Sequence, residues 1–153
     1  MRHLPRLLRL VPLALLTSAA GAAEVGPCGE LNRIDNLVGQ VKSYAEGQIR
    51  LAAVETGEPV CCSSHLLVFI PGIDPGGSQC FAVGDERNRD SGPVRGFYSI
   101  DPNRFAGTYD PKRGLLITVP FVRYDNAQGK PGKAGSFRVR IDLRGDGSVR
   151  VEH

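Results

Sequence analysis

Residues 136–152 read SFRVRIDLRGDGSVRVE. Phe137, Val139, Ile141 and Leu143 alternate with Arg138, Arg140, Asp142 and Arg144, and beyond Gly145-Asp146-Gly147 the alternation resumes with Val149 and Val151. A period of two puts the apolar side chains on one face of a strand, and no helix sorts them that way. The stretch is therefore a half-buried hairpin. Asp146-Gly147 as a two-residue turn would set Leu143 opposite Arg150 and mix the faces. A three-residue loop, Gly145-Asp146-Gly147, pairs Leu143 with Val149 and Ile141 with Val151, with Gly147 taking the left-handed position. That register sets Asp142 opposite Arg150 and Arg140 opposite Glu152.

The same punctuation recurs along the chain: PGIDPGG at 71–77, DSGP at 90–93, DPKRG at 110–114 and DNAQGKPGKAG at 125–135. Short apolar or alternating runs lie between these breaks, which is the signature of an all-β sandwich or barrel. In VKSYAEGQIRLAAV, 41–54, a loop of Ala45-Glu46-Gly47 pairs Val41 with Leu51 and Ser43 with Ile49. It leaves Lys42, Tyr44, Gln48 and Arg50 on the outer face. Asp110-Pro111-Lys112-Arg113-Gly114 is a third hairpin turn, with Gly114 left-handed. Pro120 within LLITVPFVRY predicts an edge strand or a bulge. HLLVFI, 65–70, reads as a central strand covered on both faces, paired with QCFAVG, 79–84, across the PGIDPGG loop. GFYSI, 96–100, is a further short strand. Leu31, Ile34, Val38 and Val41 fall at helical spacing and predict at most one short N-terminal helix. Segment 125–135 looks the most flexible, and the most open to proteolysis. The expectation is a small antiparallel all-β domain, either an OB-like five-strand barrel or an eight-strand sandwich.

The chain opens MRHLPRLLRLVPLALLTSAAGAA. Arg2, Arg6 and Arg9 precede a short apolar run and the small-residue sequence Ala20-Gly21-Ala22, the pattern of a cleaved secretory signal peptide over residues 1–22. The apolar run is too short for a membrane span. Residues 23–153 are then one domain. Without the three signal arginines the 19 Lys and Arg fall to 16, equal to the 16 Asp and Glu. A neutral chain lacks the surplus of positive charge that phosphate backbones demand, so no nucleic-acid partner is expected. Fifteen Arg against four Lys suits a GC-rich bacterial genome, and the expected location is the periplasm or the medium.

Export makes disulfides the first reading of Cys28, Cys61, Cys62 and Cys80. Neighbouring strand residues face opposite ways, so Cys61 and Cys62 would staple Cys28 and Cys80, in either pairing, to one strand end. Two readings compete. A Cys61–Cys62 bond makes a tight ring outside the usual Cα separation and leaves Cys28 to Cys80. Alternatively Cys61, Cys62 and His65 form a metal or enzyme centre, since thiolate and imidazole suit zinc or copper.

His65 at the start of an apolar strand reads as a hydrogen-bonded structural residue. Asp85, Glu86 and Asp90, interleaved with Arg87 and Arg89, read as a salt-bridged loop and not a calcium site. No hydrolase or phosphate-loop motif is present, so no catalytic residue, metal or cofactor is assigned. Arg95, Tyr98, Arg104 and Tyr109 are the candidate interface, because aromatic and Arg side chains anchor interfaces. Phe97 and Phe105 read as core. The functional expectation is a small exported non-catalytic binding, inhibitor or envelope accessory module, its partner a protein or an envelope ligand.

Overall fold

The computed structural model describes residues 23–32, 40–57, 61–86 and 94–152. The signal-like segment, Asp90 and the register of helical spacing at Ile34 and Val38 lie outside them. Among the described residues ten strands form: β1 (Glu24–Pro27), β2 (Val41–Tyr44), β3 (Ile49–Glu55), β4 (Ser64–Pro71), β5 (Ser78–Gly84), β6 (Ser99–Ile100), β7 (Ala106–Asp110), β8 (Gly114–Asp125), β9 (Lys130–Asp142) and β10 (Ser148–Glu152). Among the described residues the helical structure is limited to short 3₁₀ turns, including Gly29–Asn32 and Pro102–Arg104. The fold is all-β, in two antiparallel sheets. The first runs β1-β5-β4-β3-β2, and the second runs β10-β9-β8, with β6 and β7 both on the far edge of β8.

The sheets share one core. Ile49, Leu51, Leu66, Val68, Ile70 and Val83 come from the first sheet, and Leu115, Ile117, Val119, Phe137, Val139 and Ile141 from the second. Phe97 is fully buried between Phe121 and Phe137, its ring stacked 5.1 Å from that of Phe137. Ala23, just ahead of β1, is buried in the same core. A second cluster covers the other face of the first sheet: Ala52, Val54, Leu67 and Ala82 pack against Cys28, Leu31 and Val94. β4 is thus sandwiched, which is why HLLVFI shows no alternation.

The Cys28–Cys80 bond fixes that outer cover, with a Cα–Cα distance of 5.6 Å across 52 residues of sequence. On the chain-entropy account a loop of that size contributes about 4 kcal/mol. The expected stapling of Cys61 and Cys62 to Cys28 and Cys80 does not form; the remaining pair bond to each other. The reason is local. β4 begins at Ser64, so the two cysteines precede the strand and its alternation. Cys62 adopts φ +70°, which turns its side chain back toward Cys61.

The hairpins form where expected, but two of them take a different register. β2 and β3 pair Val41 with Ala52 and Tyr44 with Ile49, one residue off the expected register. Ala45 (φ 50°) and Glu46 (φ 56°) both sit in the left-handed region, and Gln48 N–H donates to the Ala45 carbonyl, so the loop takes four residues. The slip exchanges the faces: Tyr44 packs on the core and Val41 is exposed. β9 and β10 pair Ile141 with Val149 and Val139 with Val151, a shift of two that preserves the faces. Arg138, not Arg140, then lies across from Glu152.

Pro120 lies in a central strand rather than at an edge. Its carbonyl accepts from Asp101 N–H, on the side where β7 has ended at Thr118 and β6 begins at Phe121. The missing proline N–H therefore points into the gap between two partner strands. The β-bulge falls instead between Val122 and Tyr124. Segment 125–135 is mostly strand: β8 and β9 continue to Asp125 and Lys130, and the Asp125 carboxylate accepts from Ala127 and Gln128 N–H.

Candidate functional site

Antiparallel connectivity gives the domain two distinct ends. The β2–β3, β4–β5, β7–β8 and β9–β10 turns gather at one of them. Gln79 Nε2 donates to the Asp146 carbonyl there, joining a hairpin of each sheet. Between β2 of the first sheet and β7 of the second the core opens into a cleft of about 770 Å³. Its wall is largely apolar, with Tyr44, Phe105 and Tyr109 contributing rings beside Ile49, Leu115 and Leu143. Gly107 makes the opening possible. A Cβ there would lie 3.1 Å from both the Tyr44 ring and Ile117.

The polar groups of the cleft are few. Arg144 donates from Nε to Asp142 Oδ1 at 2.8 Å and from Nη2 to Oδ2 at 2.6 Å. These bonds hold the Asp142 pKa down at about 2. The two charges cancel, so the cleft carries no net charge from this pair. Burial raises the pKa of Tyr44, whose ring lines the cleft wall. An apolar wall with a few fixed polar groups suits an uncharged ligand with an apolar body and a polar end. Tyr109 is 70% exposed, at the rim.

The opposite end carries the turn Cys61-Cys62-Ser63 that leads into β4. Cys61 and Cys62 close a ring across their own peptide bond, their Cα atoms 3.7 Å apart. So short a loop adds about 1 kcal/mol or less to stability through chain entropy. Arg95 Nη2 lies 3.2 Å from Cys61 Sγ, and also meets Asn126 Oδ1 at 3.4 Å. Its Nη1 is 3.6 Å from Glu86. His65 is buried, with Nδ1 3.0 Å from the Ser63 carbonyl and Nε2 3.0 Å from the Val94 carbonyl. The imidazole thus ties the cysteine turn to the 94–97 segment, the structural role expected of it. Among the described residues no three His, Cys, Asp or Glu side chains converge as a metal site.

The four candidate interface residues occupy different settings. Tyr109 lines the cleft. Arg95 contacts the vicinal disulfide. Tyr98 stacks on Tyr124 at 6.3 Å. Arg104 is exposed on the 3₁₀ turn that leads into Phe105 and β7. Phe97 is core as expected, whereas Phe105, partly buried, packs on the core and also faces the cleft. Asp85 is ion-paired with Arg123 and Glu86 with Arg95, both partners from outside the loop; Arg87, Arg89 and Asp90 lie outside the described residues.

Sequence reasoning missed Tyr44 and the Asp142–Arg144 pair as cleft residues. Their common signal is position beside a hairpin turn. Comparison with protein-family models, with curated proteins and with solved structures gave no match.

Proposed function

We propose that this chain is an exported binding domain rather than an enzyme, and that the cleft between β2 and β7 holds its ligand. One observation carries the reading: an aromatic-lined opening of about 770 Å³ into the core, ringed by hairpin turns. Binding sites on β scaffolds concentrate in loops held by a rigid framework, and this end supplies both. The ligand is an envelope component or a partner side chain with an apolar body and an uncharged polar end, matched to the rings and the neutralised Asp142–Arg144 pair. The signal-like N-terminus and the paired cysteines support a periplasmic or secreted location, where disulfides persist.

The test is a titration with an uncharged amphipathic aromatic probe, such as an N-phenylnaphthylamine, read by fluorescence. Saturable one-to-one binding is expected. Tyr109→Ala, at an exposed rim position, should weaken it about tenfold with little loss of stability. Non-saturable binding, or binding indifferent to Tyr109→Ala, would remove the basis of the proposal.

A further inference from the structure

We propose that Cys61–Cys62 is a thiol–disulfide exchange site that accepts electrons from dithiols, with Arg95 as its anion-stabilising group. Three features separate this bond from Cys28–Cys80. It spans a single peptide bond, so it joins no distant segments. It holds a non-glycine residue, Cys62, at φ +70°, a conformation that L side chains rarely adopt. It has a guanidinium 3.2 Å from one sulfur. A disulfide sulfur is a weak acceptor and gains little from that charge, whereas a thiolate gains a great deal.

Accessibility fixes the direction of the reaction. Cys61 is partly exposed and Cys62 is buried. A reductant thiolate, drawn by Arg95, attacks Cys61 Sγ. The Cys61–Cys62 bond breaks, and its electron pair goes to Cys62 Sγ, which takes up a proton. The second thiol of the reductant, deprotonated, then attacks its own sulfur in the mixed disulfide. Cys61 leaves as a thiolate beside Arg95, and the reductant departs as a disulfide. Two electrons pass to the protein.

Opening the ring also releases a packed turn. A Cβ on Gly96 would lie 2.2 Å from the Cys62 carbonyl oxygen and 2.8 Å from His65 Cε1, so the Cys62 backbone is held tight against the 94–97 segment. The Ser63 carbonyl accepts from Thr56 N–H at 3.0 Å next to it. The redox state of the pair therefore bears on the end of the domain opposite the cleft.

The experiment treats the oxidised native protein with graded dithiothreitol, quenches with N-ethylmaleimide and maps the adducts by mass. Adducts should appear on Cys61 and Cys62 at least about tenfold faster than on Cys28 and Cys80. Arg95→Gln should slow this opening about three- to tenfold, and Arg95→Lys should restore most of the rate. With the wild-type protein alone, the opening rate should fall as ionic strength rises, because salt screens the attraction between Arg95 and the incoming thiolate. Simultaneous labelling of all four cysteines, or an opening rate indifferent to both Arg95→Gln and salt, would overturn the proposal.

Discussion

Glu152 reaches diagonally across the β9–β10 ladder to Arg140, which donates from Nε and Nη2 to its two carboxylate oxygens at 2.9 and 3.1 Å. Arg113 donates to the same carboxylate at 2.7 Å. Arg140 is only 6% exposed and lies directly across from Arg150, so Glu152 is the anion that permits this arginine to be buried. Glu152→Gln should lower the thermal midpoint more than the double variant Arg140→Met, Glu152→Gln, since the single change leaves a buried cation unpaired. Calorimetry on the three proteins checks this; equal losses would mean that the pair is not coupled.

Asp142 has its folded-state pKa at about 2, against an ordinary value of 3.8, chiefly through the hydrogen bonds from Arg144. A carboxylate with a depressed pKa contributes stability that is fully present above its ordinary value and is lost as pH falls through the folded value. Glu152 is displaced in the same direction by Arg140. Stability should therefore decline on acidification from about pH 4 toward pH 2. Arg144→Gln should shrink that decline and leave the part due to Glu152. Melting curves across the interval would show it, and an unchanged slope would exclude Asp142 as a source.

The two disulfides should differ in what they do for stability. Cys28→Ser with Cys80→Ser should cost about 4 kcal/mol, because a 52-residue separation is released. Cys61→Ser with Cys62→Ser should cost about 1 kcal/mol or less. Urea unfolding of the two double variants gives both values, and a larger loss from the vicinal pair would reverse the assignment.

Gly96 is fixed by close approach. Its hydrogen faces the Cys62 carbonyl, where a methyl group would sit 2.2 Å from oxygen. Gly96→Ala should cost about 3 kcal/mol or more, since backbone and not a flexible side chain must move. Gly132→Ala, where the nearest atom would be 3.1 Å away, serves as the milder comparison.

What could be read in advance follows from which interactions are local. Gly114 was expected to be left-handed after Asp110-Pro111, and it is, at φ 82°. The continuous run at 65–70 was expected to be covered twice, and both clusters cover it. The β2–β3 register was not legible, because it depends on Ala45 and Glu46 adopting a conformation that neither residue advertises. The β9–β10 shift by two was invisible to a pattern argument, since a period of two survives it. Cysteine connectivity hinged on the φ of Cys62. The cleft could not be read at all: Tyr44, Tyr109 and Asp142 come from separate hairpins; pairing through β8 brings Tyr109 near Asp142, and only the packing of one sheet on the other adds Tyr44.

The placement of the hairpin turns has a consequence for how such a domain diversifies. The β4–β5 turn at Ile73, 77% exposed, and the β9–β10 turn at Asp146 can change in length or composition without touching the phenylalanine cluster or the cysteine turn. Under the proposed binding role, changes at these turns would alter one pole of the molecule and leave the other intact. A library randomised only at those turns would probe the proposed binding role on a constant frame.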